Sequence, residues 1–92
     1  MKITCDPAKR LTTPRERGLD FLRAGEVFDT PHLTIEDNRR DYGEVRFITI
    51  GYIDGRMVVL VWTHRADTIR IISMRKANER EQSHYSQRLT GH

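Results

Sequence analysis

The sequence predicts a single small α+β domain over residues 1–92, with an antiparallel sheet of three to four strands, two N-terminal helical segments and one C-terminal helix. A length of 92 residues leaves room for one domain only. The 37% hydrophobic and 32% charged fractions are typical of a soluble globular chain, not of a disordered or membrane protein. Apolar residues alternate in the middle of the chain, and capping residues mark helices towards both ends.

The N-terminal third is predicted to hold a short edge strand and the two helical segments. Residues 2–5 are the strand candidate. Asp6-Pro7 is typical of a helix start, and Thr13-Pro14 within a second capping sequence breaks or restarts that helix. Asp20 caps the second segment, in which apolar residues recur at three- and four-residue spacing. These residues are Phe21, Ala24, Val27 and Phe28.

The strand candidates follow at residues 33–37, 45–52, 57–62 and 68–75. Asp54-Gly55 is the dipeptide favoured in tight hairpin turns, so the strands on either side of it are expected to pair. Residues 57–62 are apolar without interruption. Because such a strand is covered on both faces, we expect it to lie in the centre of the sheet.

The last helix is predicted to begin after Asn78 and to run to about Leu89. Asn78 and Glu81 have the spacing of a capping box. Ala77, Tyr85 and Leu89 make only a thin apolar stripe among charged residues. We therefore expect this helix to be mobile or docked on a partner.

The charge is distributed unevenly along the chain. The formal net charge is +3, with +3 in residues 1–17, −4 in residues 18–45 and +4 in residues 46–92. Most of the basic residues are arginines, whose planar fork matches phosphate oxygens. The basic zones therefore indicate phosphate contacts; the alternative is a solvated surface of mixed charge.

Three features of the sequence argue against particular classes of protein. Cys5 is the only cysteine, so no internal disulfide can form, which suits a reducing cytoplasm. The four histidines show no ligand spacing, so neither a metal site nor a cofactor is expected. No apolar run is long enough for a membrane span or an export signal.

Five stretches of the chain, in this order, carry a family resemblance: Asp6-Pro7-Ala8-Lys9, Gly18-Leu19-Asp20-Phe21, Glu26-Val27-Phe28-Asp29, Asp41-Tyr42-Gly43-Glu44 with Arg46-Phe47, and Arg70-Ile71-Ile72-Ser73-Met74-Arg75-Lys76-Ala77. The last, followed by Arg80, Glu81 and Tyr85, is the most specific. The chain resembles the BrnT family, which are ribonuclease toxins of type II toxin–antitoxin modules. The resemblance implies a RelE-like fold and a cytoplasmic endoribonuclease that inhibits translation by cutting RNA. It also implies a BrnA antitoxin that neutralises the toxin, and operator DNA bound only by the complex.

The sequence departs from the family pattern at two places. Cys5 stands where many members have tryptophan, and residues 13–18 replace an Asn-x-x-Lys-His-Gly motif. Arg17 thereby takes the place of a histidine. It is either a phosphate-binding cation or a residue that favours a helix C-terminus.

Metal-independent cleavage of RNA needs cations around the phosphate and groups that move protons. Arg70, Arg75, Lys76 and Arg80 lie within eleven residues. Arg70 and Arg75 have opposite parity, so they are expected to point to opposite faces of the sheet, and only one of them to lie in the site, unless a bulge intervenes. Arg75 is preferred because it lies beside Lys76 at the strand end. The predicted catalytic residues are Arg75, Lys76, Glu81, Tyr85 and Arg17, and the predicted substrate-binding residues are Arg46, Arg65, Arg70 and Arg80.

Each assignment has a structural alternative. Arg75 and Lys76 can occupy a solvated strand end, Glu81 can serve only as the capping partner of Asn78, and Tyr85 can belong to the core stripe. Arg46 and Arg65 can pair with Glu44 or Asp67. The acidic residues Glu36, Asp37, Asp41 and Glu44 either meet basic residues of the antitoxin or form an ordinary loop. The alternative functions are a non-catalytic RNA- or DNA-binding module and a protein-interaction domain.

Overall fold

The computed structural model of the chain describes residues 2–5, 21–39, 41 and 43–90. These residues form five strands and two helices. In chain order they are β1 (Lys2–Cys5), a 3₁₀ helix (Phe21–Asp29), β2 (Leu33–Glu36), β3 (Phe47–Ile53), β4 (Arg56–Arg65), β5 (Thr68–Lys76) and α1 (Glu79–Thr90). The helix predicted to begin at Asp6-Pro7, and its restart at Thr13-Pro14, lie outside the described residues. Neither helix of the described ranges has the length and apolar character that crossing a membrane requires.

The strands form one mixed sheet in the order β1-β5-β4-β3-β2. β2, β3, β4 and β5 pair antiparallel with their neighbours, whereas β1 runs parallel to β5, with Lys2 opposite Thr68 and Cys5 opposite Ile71. The prediction of a RelE-like antiparallel sheet of three to four strands with three helical segments is therefore wrong. Alternation reveals that a strand exists, but four residues at an edge carry no signal for the direction of the partner strand.

The apolar strand β4 lies in the centre of this sheet, as predicted. Val58, Leu60 and Trp62 point to the side on which the 3₁₀ helix packs, and we call this side the closed face. Met57, Val59 and Val61 point to the side on which α1 packs, which we call the groove face. Both faces of β4 thus have a covering helix, which explains why the strand lacks polar alternation.

The second predicted helical segment is present as a 3₁₀ helix. Ala24 and Val27 have no exposed surface, and their spacing of three residues matches the 3₁₀ repeat, which brings both side chains onto the closed face. The Thr30 hydroxyl donates to the carbonyl oxygen of Val27 at 2.7 Å and accepts from the backbone N–H of Tyr52 at 3.2 Å. The end of the helix is thereby tied to β3.

The hairpin predicted at Asp54-Gly55 joins β3 to β4. The φ angles of Asp54 and Gly55 are 52° and 74°, the pair of positive values that a type I′ turn requires. The turn fixes the register of the hairpin, with Ile53 opposite Arg56 and Gly51 opposite Val58. This register decides which side chains reach each face of the sheet.

Candidate functional site

Two rows of side chains cross the groove face of the sheet. The inner row, which lies beneath α1, consists of Leu33, Ile50, Val59 and Arg75 on four successive strands. The open row lies beside it and consists of Ile35, Ile48, Val61 and Ser73. The apolar residues of the inner row pack with Ala77, Tyr85 and Leu89. The thin apolar stripe of the last helix is therefore enough to cover one row and leaves the second uncovered.

A groove of about 330 Å³ runs along the open row. Its apolar floor is contributed by the strands, and Ile35 has 45% of its surface exposed. Arg75, Glu81 and Tyr85 form the side nearest to α1, and Arg39 lies at the side nearest to β2. An accessible depression with guanidinium groups at its rim is suited to an anionic ligand.

Arg75 and Glu81 form a bidentate ion pair beside this groove. Nη1 of Arg75 donates to Oε1 of Glu81 and Nη2 donates to Oε2, both at 2.7 Å. The side chain of Arg75 is 49% exposed. The pairing holds the guanidinium plane in one orientation while half of the side chain still faces solvent.

Glu81 also completes the predicted capping box. Its Oε1 accepts from the backbone N–H of Asn78 at 2.9 Å, and Oδ1 of Asn78 accepts from the backbone N–H of Glu81 at 2.8 Å. The hydrogen bond from Arg75, helped by that of the Asn78 backbone, lowers the pKa of Glu81 to about 2. Glu81 is therefore a carboxylate at neutral pH and has no proton to donate. The geometry gives it the role of holding Arg75.

Tyr85 lies one helical turn beyond Glu81 on the same side of α1 and lines the groove. Its ring is partly buried against the inner row. The edge of the neighbouring His84 ring approaches it, with the ring centroids 4.6 Å apart. The ring thus belongs to the core stripe and to the groove wall at once, so the two interpretations of Tyr85 do not exclude each other.

Lys76 lies away from this group. It is opposite Val58 in the register, whereas Arg75 is opposite Val59, so the two side chains leave opposite faces of the sheet. Lys76 lines a separate cavity of about 540 Å³, together with Tyr52 and Gln82. The structure brings Arg75, Glu81 and Tyr85 together and does not bring Lys76 to them.

Arg70, in contrast, shares a face with Arg75. An irregularity between Val61 and Trp62 pairs Ile71 with Trp62 and Ser73 with Val61, so the register passes over Ile72. Arg70 then lies opposite Thr63, one row beyond Ser73. Opposite faces were expected for Arg70 and Arg75 unless a bulge intervened; the bulge is present and reverses the parity.

The other predicted cations lie elsewhere. Arg46 and Arg65 both donate to Glu44, with N···O distances of 3.1 Å, which is the pairing that their structural alternative anticipated. Arg80 is exposed in the first turn of α1. Arg17 lies outside the described residues.

Sequence reasoning missed the floor of the groove and Arg39. The guanidinium of Arg39 forms a bidentate pair with the carboxylate of Asp37, whose side chain is only 1% exposed. The period-two alternation of residues 33–36 and 47–50 was the available signal, since it places Ile35 and Ile48 on one face. What it could not give was the extent to which α1 covers that face.

A second depression, of about 240 Å³, gathers the acidic residues of the loop between β2 and β3. We call it the acidic surface; its lining includes Glu36, Asp37, Asp41 and Glu44. Glu36 and Asp41 are exposed, whereas Asp37 and Glu44 are engaged by Arg39, Arg46 and Arg65. Among the described residues, no three His, Cys, Asp or Glu side chains are grouped as they would be to hold a metal ion.

Comparison with known proteins gives one match. Residues 5–81 match the model of a family described as the ribonuclease toxin, BrnT, of type II toxin-antitoxin systems. The match includes Arg75 and Glu81 at the groove and all of the acidic surface. No curated protein and no solved structure is significantly similar to the chain.

Proposed function

Because the chain belongs to the BrnT family of ribonuclease toxins of type II toxin–antitoxin systems, we propose that it cleaves RNA internally, in the cytoplasm and without a metal ion, at the groove beside Arg75. The family makes it a ribonuclease toxin with an antitoxin partner. The observation that supports the location is the oriented, half-exposed guanidinium of Arg75 at the edge of an open groove.

In the proposed reaction the 2′-oxygen of a ribose attacks the adjacent phosphorus. The new P–O2′ bond forms as the P–O5′ bond breaks, which leaves a 2′,3′-cyclic phosphate and a 5′-hydroxyl. The 2′-hydroxyl loses its proton and the leaving 5′-oxygen gains one. Arg75 donates hydrogen bonds to the phosphate oxygens and stabilises the charge that develops on them. Tyr85 donates a hydrogen bond to the same phosphate, and Glu81 keeps Arg75 in position.

The test is cleavage of single-stranded RNA in EDTA, read as the appearance of fragments with 2′,3′-cyclic phosphate ends. We expect Arg75→Ala to lower the rate by about 100-fold or more, the usual cost of losing a preorganised charge donor. Arg75→Lys should restore little, because lysine lacks the planar fork. Arg56→Ala is the matched control, since Arg56 is exposed and lies outside the groove.

Single variants also distinguish the contribution of Arg75 to the cleavage rate from that of Lys76, which remains a predicted catalytic residue. The two side chains line different cavities, so Lys76→Ala should lower the rate much less than Arg75→Ala. An equal loss in both, with the fold intact by circular dichroism, would contradict the location of the site in the groove.

RNA binding without cleavage by the wild-type protein would favour the non-catalytic binding module instead. Cleavage that stops in EDTA would contradict metal independence.

We further propose that the antitoxin is of the BrnA type, that it meets the acidic surface with basic residues, and that operator DNA is bound by the complex of the two. Glu36→Lys with Asp41→Lys should weaken the complex and leave RNA cleavage unchanged, because both side chains are exposed and lie outside the catalytic group. Asp67→Lys, at an exposed acidic residue outside the acidic surface, is the control. Unchanged affinity for the antitoxin, measured by titration calorimetry, would contradict this contact.

A further inference from the structure

The floor of the groove has a chemistry that the proposed cleavage reaction does not use. Arg75 and Tyr85 would act on a phosphate, yet the open row beside them consists of Ile35, Ile48, Val61 and the hydroxyl of Ser73. Ile35 is 45% exposed and Ser73 is exposed, while Ile48 and Val61 are half-buried. A contiguous apolar strip left open beside charged groups is typical of a binding surface.

The charges at the two ends of this strip limit what can bind there. Arg75 stands next to Ser73 on β5, and Arg39 lies beyond Ile35 at the other end of the groove. The row crosses four strands, so it is about 14 Å long at a strand spacing of about 4.8 Å. Each guanidinium is held by a carboxylate, Arg75 by Glu81 and Arg39 by Asp37, while the arginine side chains are 49% and 69% exposed. An apolar floor between two guanidinium groups matches a flat, uncharged ring flanked by anions.

We propose that the groove receives a base of single-stranded RNA, with Ile35, Ile48 and Val61 beneath the ring and Ser73 at its edge, while the flanking phosphates face Arg75 and Arg39. This inference rests on the proposed function and adds the recognition of one nucleotide beside the scissile bond. Unstacked bases of single strands are the usual targets of protein contacts in RNA. The Ser73 hydroxyl both donates and accepts, so it can contact the polar edge of a base.

The experiment compares three RNA ligands for which the cleaved position has been mapped. Each oligonucleotide carries a 2′-deoxyribose at that position, so that binding is measured without cleavage. One ligand is otherwise unmodified. In each of the other two, an abasic site replaces one of the two nucleotides that flank the scissile bond. The variant is Ile35→Ser, on an edge strand. Val45→Ser is the matched control for RNA binding, since Val45 is also exposed (55%) and lies outside the groove, in the lining of the acidic surface.

We expect the wild-type protein to bind one abasic ligand about fivefold or more weakly than the unmodified one, because the buried apolar contact is lost. Ile35→Ser should weaken binding of the unmodified RNA by a similar factor and leave binding of that abasic RNA unchanged. Val45→Ser should bind all ligands as the wild type does. Ser73→Ala should change the ranking of oligonucleotides that differ in this base.

Equal affinity of the wild-type protein for the unmodified and both abasic ligands would overturn the inference and leave the proposed cleavage standing. Equal weakening of unmodified and abasic RNA by Ile35→Ser would also overturn it, because the floor would then support the fold and not the base. If Ile35→Ser binds RNA normally and loses the antitoxin, the groove receives an apolar side chain of that partner instead. Failure of the wild-type protein to cleave any RNA would contradict the proposed function itself.

Discussion

The two faces of the sheet use their apolar residues differently. Leu60 and Val61 are neighbours on β4, but Leu60 points to the closed face and has no exposed surface, whereas Val61 points to the groove and is only half-buried. On the closed face the 3₁₀ helix brings Ala24 and Val27 into the core. On the groove face α1 covers one row and leaves the next one open. One face therefore contributes mainly stability, while the other keeps apolar surface available for a ligand.

The largest stability effect should come from the closed face. Leu60→Ala removes a fully buried side chain and leaves a cavity, so we expect a loss of about 3 kcal/mol in the free energy of unfolding. Ile35→Ala, on the open row, should cost less than about 1 kcal/mol, because much of that side chain is already in water. Urea denaturation of both variants measures the difference. Similar losses in the free energy of unfolding for the two variants would contradict the distinction between the faces.

A smaller loss is expected where β3 meets the 3₁₀ helix. A Cβ at Gly51 would lie 2.6 Å from Cγ1 of Val27 and 3.1 Å from Cβ of His32, so Gly51→Ala must displace the buried Val27 side chain, the helix or the strand. We expect it to lower stability by about 2 kcal/mol. At Gly25 the nearest atom to a new Cβ is Cγ1 of Ile3, at 3.4 Å, an ordinary contact. Thermal denaturation should show that the Gly25→Ala variant is about as stable as the wild type. If the Gly51→Ala variant is equally stable, the closed face is loosely packed.

The smallest effect concerns the groove face and depends on pH. Because Arg75 lowers the pKa of Glu81 to about 2 from an ordinary value of 4.5, this carboxylate stabilises the fold above pH 4.5, and the contribution disappears as the pH falls towards 2. Glu81→Gln should therefore lower stability at pH 7 by about 1 kcal/mol, a modest value because the pair is near solvent. It should also flatten the loss of stability between pH 4.5 and 2.

Glu79→Gln, in the same helical turn and exposed, is the control for the pH experiment. Its stability should follow the wild-type profile between pH 4.5 and 2. If Glu81→Gln has the wild-type acid profile as well, Glu81 does not hold Arg75 in the folded state in solution.

The central features of the fold follow from local signals in the sequence. The unbroken apolar run of β4, the Asp54-Gly55 turn and the capping box of Asn78 and Glu81 each have a local physical cause, and each is present in the structure. The parallel pairing of β1 and the bulge near Ile72 depend on contacts between distant segments. Periodicity carries no information about either. The number of strands and the all-antiparallel pairing were therefore predicted wrongly, and the face of Arg70 depended on whether a bulge was present.

The candidate site was predictable to a similar degree. The helical repeat predicts that Glu81 and Tyr85 share one face of the last helix, but it says nothing of the ion pair between Glu81 and Arg75. The separation of Lys76 from Arg75 follows from strand parity alone, which the prediction applied to Arg70 and Arg75 but not to this adjacent pair. Arg39 and the open row depend on how far α1 extends over the sheet, a tertiary property that no local pattern of residues specifies.

The pairing of β1 with β5 has a consequence for the synthesis of this protein. Lys2 leaves the ribosome 66 residues ahead of its partner Thr68, so β1 cannot join the sheet until those residues have been synthesised. Glu81 and Tyr85, on the helix that walls the groove, emerge later still. The groove therefore cannot be complete until the residues of α1 have been synthesised, after all five strands.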